Sequence, residues 1–300
     1  MNFDLSDEQK MLAEQARGLL AERAPYDRLR ALGARIPEAY GGLGLSDLDL
    51  GVISEELGRA NCAVPFFSSI VCAADALTIA GCEAQKAAWL PLLASGEAVA
   101  AFASAEGKEG WRPAKPSIAF ADGKLTGSKS PVADAGIADV AIVVCAHDGR
   151  EALALFKLDQ AGVTRTKLDS FDELRAHYRI DFDGAEAELL DGADAAVIDG
   201  VMNRAAVQAA FEAVGAAEAC VHMGRDYTMD RQMFGRPLAS YQAIKHKLAD
   251  ILMATELARS NAYYAGWAAN DAPGDLPLAA AAARLSSLDA LGAAARENLQ

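Results

Sequence analysis

The spacing of apolar residues changes twice along the chain and divides it into three regions. In residues 1–100, apolar side chains recur three or four positions apart, as Leu12 and Ala16 do, which is typical of a helix with one buried face. Ser6 and Gln9 have the residue types of a capping box at the start of such a helix. The first region is therefore predicted to be an N-terminal helical domain.

Residues 101–195 have a different pattern, in which short apolar runs are separated by turn-forming residues. The runs at 140–145 and 152–156 flank the turn-forming dipeptide Asp148-Gly149, and this arrangement predicts a β-hairpin. No helical segment alternates with the strands, so a parallel sheet of the Rossmann type is disfavoured. We expect a middle domain built on an antiparallel β-sheet.

Residues 196–300 are rich in alanine and predict long helices over about 200–230, over about 241–270 and from Leu276 onward. Long helices joined by short loops are typical of a bundle. The third helix shows no stop signal before Gln300, so the bundle is expected to be incomplete. The predicted fold class is α+β, with a helical domain, a middle antiparallel β domain and a C-terminal helical bundle.

Charge and targeting signals exclude several classes of partner. The 300 residues contain 28 basic and 42 acidic side chains, for a formal net charge of −14. Nucleic acid and anionic membrane surfaces require clustered basic residues, so neither is expected as a partner. No apolar run reaches the roughly 18–20 residues of a membrane span. The first ten residues do not read as a signal peptide, and a cytoplasmic protein is predicted.

Cysteines, histidines and glycine motifs offer little chemistry. The five cysteines include no CxxC pair, which opposes a disulfide framework or a zinc site. The four histidines stand alone, so no metal site is expected. Neither GxGxxG nor GxxxxGK[ST] occurs. The acidic pair Glu55-Glu56 lies on a helix predicted to begin near Ser46, and we expect this pair on a solvated face.

The stretch from Arg231 to Lys247 (RQMFGRPLASYQAIKHK) contains four basic residues and no acidic one. The predicted start of the second long helix lies within it and adds backbone N–H groups and the positive end of a helix dipole. One interpretation is a site for a phosphate-bearing ligand. The other is a basic connection that pairs with nearby acids, and the residues alone leave both open.

Five blocks of this sequence, in the same order, resemble the acyl-CoA dehydrogenase family. They are residues 36–44 (IPEAYGGLG), 55–59 (EELGR), 81–90 with 94–97 (GCEAQKAAWL and ASGE), 125–139 (from LTGSK to AD) and 231–247. The resemblance implies FAD held between the β domain and the bundle, and an acyl-CoA substrate whose α,β bond is desaturated. In that reaction a carboxylate removes the α-proton while the β-hydride goes to the flavin.

The resemblance also implies roles for particular residues. Arg231, Gln232, Met233 and Gln242 would bind FAD, with Arg231 at the pyrophosphate. Ser104 and Glu106 occupy the turn that holds the flavin ring in the family. Asn203 and Ala206 stand where members carry an Asp and an Arg that touch the ligand, and Arg204 is the candidate to replace that arginine in substrate binding. An electron-transfer flavoprotein would accept the electrons. The chain would form a homo- or hetero-oligomer, a dimer or tetramer with shared flavin sites, in fatty acid or steroid degradation.

Several departures from the family pattern bear on activity. The stretch Ser104–Lys108 lacks the usual proline, and Pro131-Val132-Ala133 replaces an aromatic-hydroxyl tripeptide. Ala205 stands where some members carry the catalytic glutamate, and the other known position for it would follow Gln300. No catalytic base is therefore identified, and Glu212 and Glu218 are not expected to replace it, because they lie a turn or more away.

Three functions remain open. The chain is a dehydrogenase or a subunit of one, a non-catalytic partner subunit in a heteromeric dehydrogenase, or an enzyme with a different flavin reaction such as acyl-CoA oxidation or oxygen insertion. Paired subunits with incomplete sites resemble arrangements known for steroid side-chain degradation. By that analogy alone, bulky ring-bearing acyl-CoA esters are expected as substrates.

Overall fold

A computed structural model describes residues 5–21, 33–113, 115–172 and 174–299. The helices in these ranges are α1 (Asp7–Ala21), α2 (Asp47–Arg59), α3 (Asp75–Ala80), α4 (Glu83–Ser95), α5 (Ala195–Asp230), α6 (Gln242–Asp271) and α7 (Leu276–Leu299), with a π-helical segment at Phe67–Ala74 and short 3₁₀ turns at Glu38–Tyr40, Gly107–Glu109 and Leu238–Ser240. The strands are β1 (Ala100–Ala103), β2 (Ala119–Ala121), β3 (Lys124–Ala133), β4 (Val140–His147), β5 (Arg150–Lys157), β6 (Val163–Lys167), β7 (His177–Glu186), β8 (Glu188–Leu189), β9 (Gln232–Met233) and β10 (Arg236–Pro237). Gln300 lies outside the described residues.

The described residues form two compact units. The first unit contains α1, α2 and the chain from Asn203 onward, and the second contains Ala63–Met202 with the segment that precedes α2. The predicted fold class is confirmed, because helical regions flank a middle β-sheet along the chain. The predicted boundaries near residues 100 and 195 stay a prediction.

Capping side chains define the starts of α1 and α2 in the first unit. The amide of Gln9 donates to Ser6 Oγ at 3.1 Å, and the Ser6 amide donates to Gln9 Oε1 at 3.1 Å. Ser46 and Asp49 form the same reciprocal pair at the start of α2. Each box satisfies backbone N–H groups that helical geometry leaves without partners, so both predicted helix starts are confirmed.

The long C-terminal helices pack through small side chains. Alanines at 258, 262, 265 and 268 of α6 are fully buried against alanines of α7 and against Phe211 and Val214 of α5. Small side chains allow helix backbones to approach closely. The three predicted long helices are confirmed. The first begins at Ala195 rather than near residue 200, and the carboxylate of Asp194 accepts a hydrogen bond from the Val197 amide there.

Two glycines let α2 and α5 meet with almost no side chain between them. A Cβ on Gly58 would lie 1.8 Å from the carbonyl oxygen of Glu212, and one on Gly215 would lie 1.8 Å from that of Glu55. No side chain fits at such separations. The two helices therefore touch backbone to backbone at this crossing.

Gly215→Ala should destabilise the protein by about 1–3 kcal/mol, because the added methyl group forces the two backbones apart. Gly18 is the matched control, since it lies in α1 with open space around its Cα, and alanine there should instead gain up to about 1 kcal/mol of helix propensity. Urea denaturation of both variants measures the difference. Equal stability of Gly215→Ala and the wild type would contradict the close crossing.

The second unit is built on one sheet with the strand order β6-β7-β3-β2-β4-β5-β8, and β1 also pairs with β4. The predicted hairpin is confirmed: β4 and β5 pair from Val140 with Lys157 to His147 with Arg150. Antiparallel pairings predominate, while β1 and β2 pair with β4 in parallel, so the sheet is mixed. Buried side chains, including Phe156 and Phe182 in edge-to-face contact, fill its core.

Candidate functional site

The predicted cationic stretch folds into a short β-hairpin that leads into α6. Met233 pairs with Arg236, and Pro237 pairs with Gln232. Phe234 and Gly235 form the two-residue turn with φ values of 52° and 78°, the positive pair that a type I′ turn requires. The hairpin (residues 232–237) is therefore a defined element rather than a loose connection.

Two contacts hold this hairpin against the start of α6. The Arg236 guanidinium lies 4.0 Å from the centre of the Tyr241 ring, and the Tyr241 hydroxyl donates to the Met233 carbonyl at 2.9 Å. Phe234 at the tip is 90% exposed. The sequence thus presents an aromatic side chain to solvent on a tip that is fixed at its base.

The four cations of the stretch have different surroundings. Lys247 pairs with Glu297 of α7 at 2.5 Å, and Arg236 packs on Tyr241. Arg231 and Lys245 are exposed and form no ion pair within the described ranges. Pairing with nearby acids therefore accounts for Lys247, while two cations stay available for an anionic ligand.

The start of α6 adds donors beside these cations. Tyr241 occupies the N-cap position and its side chain does not cap the helix, so the amides of the first turn lack acceptors within the helix. The hydroxyl of Ser240 is buried and has no hydrogen-bond partner among the described residues. A 30-residue helix also directs the positive end of its dipole here. Together with Arg231 and Lys245, these groups suit a diphosphate.

Gln232, Met233 and Gln242, the other predicted FAD-binding residues of the bundle, surround this position. All three are exposed, Gln232 and Met233 on the first strand of the hairpin and Gln242 in the first turn of α6. The structure thus brings Arg231, Gln232, Met233 and Gln242 to one connection. Their roles toward FAD stay a prediction.

A cavity of about 590 Å³ lies in the first unit near the same connection. Its walls come from the end of α5, the start of α6 and the end of α7, and they are mostly apolar. Residues that line it include Met223, Tyr227, Leu238, Ile244, Lys247 and Leu299. This space suits an apolar group rather than a charged one.

In the second unit, Ser104 and Glu106 follow β1. The Ser104 side chain is buried, and its hydroxyl makes no hydrogen bond within the described part of the chain. The Glu106 carboxylate accepts a hydrogen bond from Lys129 Nζ at 2.6 Å and from the Ser117 amide at 2.9 Å. Burial alone would raise the pKa of Glu106, but these hydrogen bonds outweigh it and lower that pKa. Glu106 is therefore an anion that already has partners.

Arg112 anchors the far end of the loop that carries Glu106. Its guanidinium binds both carboxylate oxygens of Glu151 on β5, at 2.5 and 2.8 Å, and also donates to Asp199 at 3.0 Å. Those hydrogen bonds lower the pKa of Glu151. The loop is thus fixed to the sheet and to the first turns of α5.

Stability near pH 4 should depend on this pair. Because the pKa of Glu151 is lower in the folded protein, its contribution is present above the ordinary value of about 4.3 and is lost as the pH falls through the folded value. Glu151→Gln should therefore flatten the dependence of unfolding free energy on pH in that window. Urea denaturation at several pH values measures it. Arg112→Met should flatten the same slope, and an additive effect in the double variant would contradict the pairing.

The predicted substrate positions and candidate bases lie on α5. Asn203 and Arg204 are half-buried, and Ala205, which the resemblance places at the position of a catalytic glutamate, is fully buried. Glu218 is held by the guanidinium groups of Arg59 and Arg259. Its hydrogen bonds and their charges outweigh burial and lower its pKa. Glu218 is thus an ion-pair partner, and the expectation that it does not replace the missing base stays a prediction.

The expectation of a solvated face for Glu55-Glu56 is wrong. Both side chains are buried, at 4% exposure each. They belong to a cluster in the first unit (Arg17, Glu55, Glu56, Arg59, Glu218, Arg259 and Tyr263, hereafter the buried charge cluster). Arginines from α1, α2 and α6 surround the pair and replace water. Arg59, four residues after Glu55, was the one local signal that could have indicated this.

The buried charge cluster links four helices. Arg17 of α1 binds Glu56 at 2.7 Å, and Arg259 of α6 binds both Glu218 of α5 at 2.7 Å and Glu55 of α2. The Tyr263 hydroxyl donates to Glu55 at 3.1 Å. Burial raises the pKa of Glu55 by more than Arg259 and Arg59 lower it. Its contacts give the cluster a structural role.

Two further features of the described residues bear on other functions. No group of three or more histidine, cysteine, aspartate or glutamate side chains in the described ranges is arranged to hold a metal ion. Within the same part of the chain, no helix combines the length and the apolar content that crossing a membrane requires.

Comparison with protein families decides the identity of the chain. The profile for "Acyl-CoA dehydrogenase, N-terminal domain" matches residues 26–97, and that for "Acyl-CoA dehydrogenase, C-terminal domain" matches residues 195–300, together well over half of the chain. The chain belongs to the acyl-CoA dehydrogenase family. The resemblance drawn from five sequence blocks is confirmed. One protein of the same fold, a glutaryl-CoA dehydrogenase, has been solved with FADH2 bound.

Relatives and solved structures agree with this assignment. The chain is 31% identical over 256 residues to an acyl-CoA dehydrogenase of Bacillus subtilis (strain 168). The aligned region covers 78% of this chain and 66% of that relative, just under two thirds of its length. Glutaryl-CoA dehydrogenase from Mycobacterium smegmatis in complex with FADH2 matches with a TM-score of 0.88 at 24% identity, over 98% of this chain and 84% of that one. A chain of the ChsE4–ChsE5 complex from Mycobacterium tuberculosis matches with a TM-score of 0.88 at 22% identity, and the match covers 99% of this chain and 87% of that one. The two structural matches show the fold.

Proposed function

We propose that this chain catalyses FAD-dependent α,β-dehydrogenation of an acyl-CoA thioester as one subunit of an oligomer with shared flavin sites. Family membership supports the reaction class. The observation that carries the proposal is the start of α6. There Arg231 and Lys245 are exposed and form no ion pair with any described residue, beside an uncapped first turn and a Ser240 hydroxyl with no hydrogen-bond partner in the same ranges. Cations and free N–H groups together match a dinucleotide's diphosphate.

The residues present fit FAD at both predicted positions. In the first unit, Arg231 would bind the diphosphate of FAD. Gln232, Met233 and Gln242 would contact the parts of FAD next to the diphosphate. In the second unit, Ser104 would offer its hydroxyl and the backbone after β1. When bound, FAD supplies the acceptor for the β-hydride. The protein's own contribution is to orient the thioester, to exclude water and to hold the α-proton near a base.

The source of that base divides the proposal into two versions. At the helix position, Ala205 provides no carboxylate, and Glu218 is occupied by two arginines. In the first version a carboxylate outside α5 or from a neighbouring subunit removes the proton. In the second version the chain is a non-catalytic partner in a heteromeric dehydrogenase, which the fully buried Ala205 favours. The ChsE4–ChsE5 complex, a solved assembly of the same fold, gives a precedent for paired chains.

The substrate and the setting are further parts of the proposal. Asn203 and Arg204 are proposed to contact the acyl-CoA ester, and bulky ring-bearing acyl groups are the proposed class. An electron-transfer flavoprotein is the proposed electron acceptor in the cytoplasm, within fatty acid or steroid degradation. These assignments rest on the family alone.

Absorbance spectroscopy of the purified protein tests the proposed function. The protein, alone and co-expressed with candidate partner chains, should retain FAD through gel filtration and show a flavin spectrum. Anaerobic addition of straight-chain and sterol-derived acyl-CoA esters should bleach that spectrum. Bleaching only with a partner supports the partner-subunit version, and rapid recolouring in air supports an oxidase. A protein that binds no FAD in any preparation contradicts the proposal.

A further inference from the structure

Lys129 is a fully buried cation in the middle of β3, with 0% of its side chain exposed. Lysine is among the residues least often buried completely, because removing an ammonium group from water costs several kcal/mol unless partners replace the water. Burial lowers the pKa of Lys129 by more than Glu106 raises it. The partners of this ammonium group therefore decide what the residue does.

Both described partners lie in the loop that follows β1. Lys129 Nζ donates to the backbone carbonyl of Ser104 at 2.9 Å and to the carboxylate of Glu106 at 2.6 Å. One ammonium group thus fixes two points of the loop that are two residues apart. Ser104 is predicted to contact the flavin ring, and the hydrogen bond from Lys129 fixes the position of its carbonyl group.

Further bonds from the same loop fix its shape. The Glu106 carboxylate also accepts from the Ser117 amide at 2.9 Å, which closes the loop between residues 106 and 117. The Ser130 amide donates to the Ala105 carbonyl at 3.0 Å, so residues 104–106 run along β3 beside Lys129. The loop lacks the proline found in the family pattern. The buried ion pair supplies a restraint on the backbone that a proline would otherwise provide.

A role limited to stability does not require a charge at this position. An apolar pair of similar volume is often as stable as a buried ion pair. What an apolar pair cannot do is donate a hydrogen bond to the Ser104 carbonyl and set its direction. The three donors of the ammonium group are the feature that these contacts use.

We infer that Lys129 is a positioning residue that orients the backbone of Ser104–Glu106 for the flavin ring. This inference rests on the proposed function. Lys129 does not contact the flavin in this scheme; it acts through the Ser104 carbonyl and the Glu106 carboxylate. The class of ligand it serves is an isoalloxazine ring that stacks on or hydrogen-bonds to the loop backbone.

Three variants of the full chain, in the oligomer it forms, test the inference. Lys129→Met removes the cation and leaves the Glu106 carboxylate without its ammonium partner, with the hydrogen bond from the Ser117 amide remaining. The double variant Lys129→Met/Glu106→Gln removes both charges, so its melting temperature should return toward that of the wild type. Lys124→Met is the matched control, because Lys124 lies on the same strand and is exposed. The readouts are the melting temperature, the Kd for FAD and the visible absorption spectrum of the bound flavin.

The double variant gives the deciding result. We expect it to bind FAD about tenfold more weakly or worse, with a shifted and less structured flavin band, while Lys124→Met matches the wild type in every readout. A double variant with the wild-type melting temperature, Kd and spectrum would overturn the inference. Wild-type protein that binds no FAD would instead overturn the proposed function.

Hydrogen exchange of the wild-type protein is a second test, which applies even if the variants do not fold. Saturation with FAD should slow exchange of the amides of residues 104–107. Protection elsewhere in the chain with none in this segment would show that the loop does not meet the flavin, and it would overturn the inference while leaving FAD binding intact.

Discussion

Arg259→Met should lower the free energy of unfolding by about 3–5 kcal/mol, the loss typical of removing one partner from a buried ion pair. Arg259 binds Glu55, which is almost completely buried, and Glu218 at the same time. Burial already raises the pKa of Glu55 in the presence of the arginine. Without Arg259, the folded protein must either keep an uncompensated carboxylate or bind a proton there.

Two controls accompany the measurement by urea denaturation. Arg179→Met removes an ion pair with Asp181 on the exposed surface of the sheet, and it should leave the free energy of unfolding nearly unchanged. Arg259→Met/Glu55→Gln should recover part of the loss, because it removes the unpaired charge. A loss in Arg259→Met no larger than that in Arg179→Met would show that the buried charge cluster does not hold the helices together.

The pH dependence of Arg259→Met has a predictable sign. A carboxyl group with a raised folded pKa takes up a proton on folding, so its stabilising contribution is present at low pH and is lost as the pH rises through the folded value. Removing the arginine raises the pKa of Glu55 further. The difference in free energy of unfolding between the variant and the wild type should therefore be smallest in mildly acidic buffer and should grow as the pH rises.

Arg231→Gln should weaken FAD binding by about 10- to 100-fold, because a charge-assisted contact to a phosphate contributes about 1.5–3 kcal/mol. The apoprotein should keep its melting temperature, since the Arg231 side chain is exposed and forms no ion pair within the described ranges. Flavin fluorescence titration measures the Kd. Raising the salt concentration should weaken binding more in the wild type than in the variant.

Arg225→Gln is the control for this substitution. Arg225 lies on α5, is exposed and binds its neighbour Asp226, so glutamine there should leave the Kd for FAD unchanged. Equal Kd values for Arg231→Gln and the wild type would remove Arg231 from the flavin site. A fall in the melting temperature of Arg231→Gln apoprotein would show a structural role instead.

Features set by neighbouring residues were predictable from the sequence. Ser6 with Gln9 defines a helix start, Asp148-Gly149 defines a hairpin, and the alanine-rich segments define long helices, because each depends on residues a few positions apart. The grouping of cations beside the start of α6 was predictable for the same reason, because the residues that form this connection are neighbours in the sequence.

Features set by distant residues were not predictable. Glu55 is 204 residues from Arg259, and Arg59 is 159 residues from Glu218. Apart from Arg59, nothing near the acidic pair shows that arginines replace water around it. Lys247 is neutralised by Glu297, 50 residues away. In the sequence, Lys129 is one of several polar residues on a strand, and its burial depends on contacts with the loop after β1, which lies more than 20 residues earlier.

The hairpin at 232–237 has a consequence for recognition. Its type I′ turn and the contacts of Tyr241 restrict the backbone that carries Phe234 before anything binds. Conformational entropy that a flexible tip would lose on association has already been lost during folding. A ligand or a neighbouring subunit that covers this aromatic ring therefore keeps nearly all of the free energy released by its burial.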